Sequence, residues 1–133
     1  MAETTEFELV TPEKLVFSER AEMVVVPGSE GLFAAMPRHA PFLSTLKPGV
    51  LEVYEGGKVK QRIFVAGGFA EVTPERLTVL AERALPVADI DKAAVEQRIK
   101  DLRDDLAAAK SEAEKKTVQE SLDAAQAELL AAA

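Results

Sequence analysis

VVVPGSEGLFAAMPRHAP, residues 24 to 41, carries the densest local signals in the sequence and its only histidine, His39. The apolar run at residues 23 to 26 reads as a buried strand. Pro27-Gly28 then turns the chain, because Pro presets φ for the first turn position and Gly accepts a positive φ at the second. A second, shorter apolar run follows. Pro37 and Pro41 bracket Arg38, His39 and Ala40, and two prolines this close exclude a continuing helix or a central strand. An ordered, exposed loop remains, and on a rigid β scaffold such a loop is a contact surface.

Working outward, the sequence divides into two compositional halves. All seven prolines and all seven glycines of the 133 residues precede residue 89, and that first region has no aspartate. From Asp89 onward Ala, Glu, Lys and Leu dominate. The shift marks a turn-rich β region, residues 1 to 86, followed by a helical region, residues 87 to 133. The net charge of -7 is spread over both halves, so phosphate backbones are repelled and a nucleic-acid partner is excluded as a reading. There is no cysteine, which removes disulfide frameworks and zinc-thiolate sites. No stretch approaches the roughly 20 apolar residues of a membrane span. The start, MAETTEFELV, lacks the basic and apolar segments of a signal peptide and is too short and acidic for a transit peptide; an unprocessed, soluble, bacterial protein is expected.

In the first region, strands are expected at residues 7 to 10, 15 to 17, 42 to 46 and 50 to 54. The phrase Val10-Thr11-Pro12-Glu13-Lys14-Leu15 returns as Val72-Thr73-Pro74-Glu75-Arg76-Leu77, which reads as one hairpin solution used twice. Gly56-Gly57 suits a type I′ hairpin. The returning strand alternates, with Val59, Gln61, Ile63 and Val65 on one face and Lys60, Arg62 and Phe64 on the other. Gly67-Gly68 is expected to break it. Eight to ten short strands with a turn signal at nearly every boundary predict an antiparallel sandwich or barrel.

In the second region, Asp89-Ile90-Asp91 supplies a helix cap. Val95, Ile99, Leu102, Leu106 and Ala109 form one apolar stripe, and Val118, Leu122, Ala125 and Leu129 form another of the same period but different phase. The phase break predicts two helices joined by a turn, and Ser111-x-x-Glu114 is a capping-box start for the second. Two thin stripes bury each other as an antiparallel hairpin that is able to open.

Chemistry is sparse. His39 has no sequence-near acid to form a triad and reads as a loop histidine in a structural or contact role. Gly67-Gly68 lacks the Lys, the Ser/Thr and the helix of a phosphate loop. Asp104-Asp105 and Asp89/Asp91 read as solvated faces, with Glu96/Lys100 and Glu112/Lys116 at helix ion-pair spacing. No metal-ligand cluster appears. A binding or coupling module is the better class; a free-standing sandwich enzyme or small-ligand binder has no site to point to.

The residues Val10-Thr11-Pro12-Glu13 with Val16-Phe17-Ser18, Pro27-Gly28-Ser29-Glu30-Gly31, His39-Ala40-Pro41, Lys47-Pro48-Gly49, Gly67-Gly68-Phe69-Ala70-Glu71-Val72, Leu77-Thr78-Val79-Leu80-Ala81 and Asp89-Ile90-Asp91, in this order, resemble the epsilon subunits of bacterial F-type ATP synthases (delta in mitochondria) over essentially the whole length. The resemblance implies an antiparallel β-sandwich of about ten strands followed by a C-terminal two-helix hairpin, placed at the foot of the central stalk on the cytoplasmic face of the inner membrane. There the sandwich binds the gamma subunit and the c-ring, and catalysis belongs to other subunits. It implies that Ser29, Glu30, Gly31 and His39 meet the ring loops, with Phe42 and Leu43 as support. Arg38 stands where the family often has Gly and adds a positive charge at the implied ring or gamma contact, where it is expected to meet an acidic partner. In some relatives the helices inhibit ATP hydrolysis through basic residues of the last helix facing an acidic run of beta, and in some ATP holds them folded. Here the ATP pattern starts at Ile90-Asp91, but Ala94 and Val95 replace its Arg and Ala. After Lys116 there are Glu120, Asp123 and Glu128 and no Lys or Arg. No cofactor is therefore expected, ATP binding and inhibition are expected to be weak, and an ATP-sensing inhibitory switch is the alternative reading.

Overall fold

Phe7 and Leu9 are fully buried while Glu6 and Glu8, alternating with them, point outward, the period-two pattern that makes residues 5 to 10 a strand with one face in a core. The computed structural model describes residues 3 to 133. It contains β1 (Thr5–Val10), β2 (Leu15–Ala21), β3 (Met23–Gly28), β4 (Gly31–Ala35), β5 (Phe42–Thr45), β6 (Gly49–Glu55), β7 (Lys58–Val72) and β8 (Arg76–Pro86). One 3-10 turn at Val87–Asp89 leads to α1 (Lys92–Ala108) and α2 (Glu112–Ala132). The contacts divide the protein into two compact units, one ending at Pro86 and the other spanning Val87–Ala133.

The strands run in the order β2-β1-β8-β7-β6-β3-β4, with β5 added to β7. The two Thr-Pro-Glu turns and the Gly56-Gly57 hairpin form as expected. Thr11 and Lys14 exchange backbone hydrogen bonds at 2.9 and 3.2 Å, and Thr73 and Arg76 repeat the pair at 2.8 and 3.4 Å, so the duplicated phrase builds the same tight connection twice. Gly56 and Gly57 have φ of 63° and 75°, the two positive values a type I′ turn needs. The Glu22 carboxylate accepts the N–H of Gly56 and, at 3.4 Å, that of Gly57, which ties this turn to the end of β2. Lys60 bridges Glu19 at 2.9 Å and Glu55 at 3.1 Å, and its pKa is raised, first by the hydrogen bond to Glu19 and then by that to Glu55.

Two expectations need correction. Gly67-Gly68 does not break the strand; β7 runs through it, with φ of 71° and 102° at the two glycines. A Cβ on Gly68 would overlap the Leu80 carbonyl of β8, so glycine is what lets the two long strands cross this closely while they bend. Before the bend β7 pairs with β6, and after it with β5. β8 follows β7 along both halves, Arg83 to Pro86 on one side and Leu77 to Ala81 on the other. Two strands therefore serve both layers, and the sandwich has eight strands, within the eight to ten read from the turn signals and fewer than the ten that the resemblance implies. The second correction is that the sheet is not wholly antiparallel: β1 lies parallel to β8 from Glu6↔Arg76 to Val10↔Leu80. Parallel neighbours need a long crossover, and here the intervening strands supply it.

The core between the layers is aliphatic with one aromatic pair. Phe7, Leu9, Val24, Val26, Leu51, Val53, Ile63, Val65, Leu77 and Val79 are at most 1 % exposed, and Phe17 packs on Phe7 with ring centroids 5.5 Å apart. Burial of each such residue is worth about 1.5–3 kcal/mol.

In the second unit Asp91 is the N-cap of α1, its Oδ1 accepting the Ala94 N–H at 3.1 Å. Ser111 caps α2 through the Glu114 N–H at 3.1 Å, while the Glu114 carboxylate reaches back to Lys110 N–H at 3.3 Å. The two stripes meet through Val95, Ile99, Leu122 and Ala125, flanked by Leu102, Leu106 and Leu129. Glu112 pairs with Lys115 at 3.6 Å, one residue short of the expected Lys116. Glu128, counted from the sequence among the acids after Lys116, is buried at 1 % exposure and bridged by Arg98 Nη1 at 3.0 Å. It lies three residues beyond Ala125 and so shares the buried stripe.

Candidate functional site

β3 leaves its ladder with β6 after Val25, so Pro27, which has no N–H to give, occupies the strand without costing a sheet hydrogen bond. Pro27-Gly28 is accordingly strand and not the expected turn. The Pro27 carbonyl accepts Lys47 N–H at 3.0 Å. The turn is carried by Ser29 and Glu30 between the paired Gly28 and Gly31, and Gly31 has φ of 130°. Gly28 has no room for a Cβ, which would stand 2.9 Å from Gly31 O and 3.0 Å from Ser44 Oγ. The loop is fixed on its other side by β5: Ser29 N–H donates to Thr45 O at 2.9 Å, and Thr45 Oγ1 donates to Ser29 Oγ at 2.7 Å.

These bonds place the Ser29–Gly31 loop at the head of an open groove of about 740 Å³. Its walls include Leu32 and Phe33 of β4, Phe42 and Leu43 of β5, and Phe69 of β7. Phe33 and Phe42 meet edge to face with centroids 5.1 Å apart. Leu32 is 69 % exposed, Leu43 65 %, Phe42 46 % and Phe69 42 %. Apolar exposure gathered in one concavity, with Glu30 and two hydroxyls at the rim, is the signature of a surface that another molecule covers.

Of the residues singled out from the sequence, the groove unites Ser29, Glu30, Gly31, Phe42 and Leu43. Arg38 and His39 lie elsewhere. Met36-Pro37-Arg38-His39 is a turn closed by His39 N–H to Met36 O at 3.2 Å, with Pro at its second position and Arg38 at φ 62° at its third, the conformation of a type II turn. Arg38 N–H is held by Pro74 O at 2.8 Å, and its guanidinium by Glu3 at 2.7 Å. Arg38 lines a separate polar cavity with Glu3, Glu6 and Arg20. The His39 Nδ1 is 2.8 Å from Ala40 O, a hydrogen bond that orients the ring locally. Leu32 and Phe69 were missed. Their signal lay in the pleat: Ala70 and Val72 are buried, so Phe69 must face out, and a leucine next to Phe33 in a short strand must take the opposite face.

Asp91 of the degenerate ATP pattern is engaged as a helix cap, Ile90 packs against the helix-pair core, and Val95 is buried in that core. Among the described residues no group of three or more His, Asp or Glu gathers as a metal site, and no helix is long and apolar enough to cross a membrane.

An eight-stranded sandwich with an open apolar groove, followed in sequence by a capped helical hairpin, defines a two-domain class of β-sandwich and helix-pair proteins. Residues 4–87 match the family described as ATP synthase, Delta/Epsilon chain, beta-sandwich domain, and residues 91–133 match the C-terminal domain of the ATP synthase epsilon chain. The protein is 59 % identical over 133 residues to an ATP synthase epsilon chain of Rhodospirillum rubrum, the match spanning 100 % of this chain and 95 % of that one. It is 51 % identical over 123 residues to the epsilon chain of Parvibaculum lavamentivorans, spanning 92 % and 93 %. The chain belongs to the ATP synthase epsilon chain family. Its fold is also similar to a chain in the Euglena gracilis mitochondrial ATP synthase (OSCP/F1/c-ring), with TM-score 0.79 and 23 % identity over 93 % of this chain and 78 % of that one. A chain in the central stalk/c-ring structure of the Tetrahymena thermophila mitochondrial ATP synthase matches with TM-score 0.69 and 14 % identity over 98 % of both.

Proposed function

We propose that this protein is a non-catalytic rotor subunit of the central stalk of a proton-translocating F-type ATP synthase, joining the gamma subunit to the c-ring and seated peripherally on the cytoplasmic face of the membrane. The open groove carries this reading. A sandwich that fully buries its own core leaves Leu32, Phe42, Leu43 and Phe69 together in solvent, and their natural cover is a protein partner. The rim loop Ser29-Glu30-Gly31 is pinned by hydrogen bonds to β5, so it meets a partner without losing much further conformational entropy. Stiffness suits a part that transmits torque, because the strands satisfy one another's backbone groups. Arg38 and His39 form a second, polar contact patch of the same unit.

The test is an affinity pull-down of the tagged full-length protein from detergent-solubilised membranes of its host. Recovery of gamma, alpha, beta and the c-ring is expected; recovery of the tagged protein alone from membranes that contain intact synthase would overturn the assignment.

The alternative, an ATP-sensing inhibitory switch acting on alpha and beta through the helices, is the weaker reading. Asp91 already caps α1, and Ala94 offers phosphate no cation. Calorimetry on the isolated protein should show weak or no ATP binding, and micromolar affinity would restore the switch.

A further inference from the structure

We infer that the partner fills the groove with an extended segment that adds a strand to the free edge of β4. This inference rests on the reading of the groove as a partner surface and names the element that occupies it.

β4 ends the strand order, bonded to β3 alone. Residues of an antiparallel pair alternate between those that bond across it and those whose N–H and C=O point away. The Pro27 carbonyl turns from β4 to accept Lys47 N–H. Its opposite residue, Leu32, is therefore of the outward kind, and Ala34 follows two residues on. Among the described residues, no hydrogen bond outside the ladders reaches the backbone of either. β4 thus offers two donors and two acceptors in a row, the template that a further strand completes.

The opposite end of the strand order shows how this protein treats an edge that stays in water. β2 carries Ser18, Glu19 and Arg20, with Glu19 bridged to Lys60 and Arg20 to Glu6. Charge at an edge deters strand addition. β4 reads Gly31-Leu32-Phe33-Ala34-Ala35, with no charge, no proline and no bulge, and its Leu32 is 69 % exposed. An edge this bare invites pairing.

The groove fits an extended occupant. Its other wall, β5, pairs only with β7 and has already given its Thr45 carbonyl to Ser29, so β4 is the more open edge. Alternate side chains of an added strand reach the apolar wall of Phe42, Leu43 and Phe69. A helix would satisfy its own backbone groups and leave those of β4 unmet. Glu30 is the one charged residue of the lining and has no ion pair among the described residues. The occupant is accordingly an apolar strand with a Lys or Arg where it passes the Ser29–Gly31 loop.

Proline separates backbone pairing from side-chain contact. Ala34→Pro removes an outward N–H and leaves the β3 ladder its bonds, whereas Ala34→Val keeps that N–H. Both variants are made in the tagged full-length protein, checked for an unchanged urea midpoint, and taken through the pull-down from solubilised host membranes. Ala34→Pro should cut recovery of the synthase subunits about tenfold or more, and Ala34→Val should leave it at the parent level. Parent-level recovery with folded Ala34→Pro would overturn the strand pairing and leave the stalk assignment standing; a parent that recovers no subunit would overturn both. Glu30→Lys should lower recovery severalfold, and parent-level recovery would overturn the cationic end of the segment. Residue-resolved hydrogen exchange on the parent needs no variant to fold. The Leu32 and Ala34 amides should exchange freely in the isolated protein and about a hundredfold more slowly in the purified synthase, with the Phe33 amide slow in both. Equal rates for Leu32 and Ala34 in the two states would overturn the pairing. A dimer of the isolated protein by light scattering, with these two amides protected, would assign the edge to a second copy and overturn the partner strand.

Discussion

Arg38 shows how much one residue's backbone can say. It is the only non-glycine residue with positive φ among the described residues, at 62°, in the third position of a turn where the family resemblance places glycine. A left-handed conformation at any residue bearing a Cβ costs about 1–2 kcal/mol, and glycine returns part of that through its looser unfolded state. Arg38→Gly is therefore expected to raise stability by about 0.5–1 kcal/mol in urea unfolding of the full-length protein, and Arg38→Val to lower it by about 1 kcal/mol. The exposed bridge to Glu3 offsets little. If the Arg38 guanidinium meets an acidic partner in the assembled complex, Arg38→Glu should reduce copurification of the c-ring without unfolding the sandwich, and unaltered copurification would dismiss that contact. Gly68 is the opposite case. A Cβ there collides with the backbone of Leu80, which cannot move without opening the β7–β8 ladder, and Gly68→Ala should cost about 3 kcal/mol or more. At Gly67 the obstacle is the end of the Glu82 side chain, 2.5 Å from the added atom. Glu82 is exposed and can swing away, leaving about 1 kcal/mol from the left-handed φ alone. Equal losses from the two substitutions would show that the close crossing is not what requires glycine.

Among the elements, those specified by neighbouring residues were legible and those specified by distant ones were not. The Thr-Pro-Glu turns, the Gly56-Gly57 hairpin and both helix caps follow from local backbone chemistry, and the phase shift between the Leu106 and Leu122 stripes located the helix break. The continuity of β7 was hidden, because Leu80, which makes Gly68 necessary, lies in another strand on the far side of a turn. The parallel β1–β8 pair was hidden for the same reason. At the site, the pinned loop and Phe42-Leu43 were visible as a loop and a strand, whereas Leu32 and Phe69 join them only once β4, β5 and β7 are assembled. The burial of Glu128 was not seen, because charge was counted without asking which face of α2 it occupied. The groove itself yields a prediction at this scale. Leu32→Ser and Leu43→Ser alter residues that are 69 % and 65 % exposed, so the stability of the isolated protein should change by no more than about 0.5 kcal/mol. If a partner covers the groove, the double variant should lose most of its copurification with gamma or the ring. Assembly at parent levels would show that the groove stays open to solvent in the complex.

For the whole molecule, the charge distribution bears on regulation. The resemblance carries an inhibitory contact between basic residues on the last helix and an acidic run of beta. Here the part of α2 beyond Lys116 offers only acids. Glu120 and Asp123 are exposed, and Glu128 is withdrawn into the helix pair with Arg98. An approaching acidic surface therefore meets repulsion of about 1 kcal/mol per close exposed pair in water, more where water is excluded, and no attraction. To lie along such a surface α2 must also separate from α1, which breaks the Arg98–Glu128 contact and exposes Leu122 and Ala125. Both costs act in the same direction. Removal of residues 89 to 133 from the assembled synthase should accordingly leave ATP hydrolysis nearly unchanged, because the sandwich keeps its own core and its groove while the deleted helices contribute no brake. A several-fold rise in hydrolysis on deletion would mean that the helices inhibit in spite of their charge.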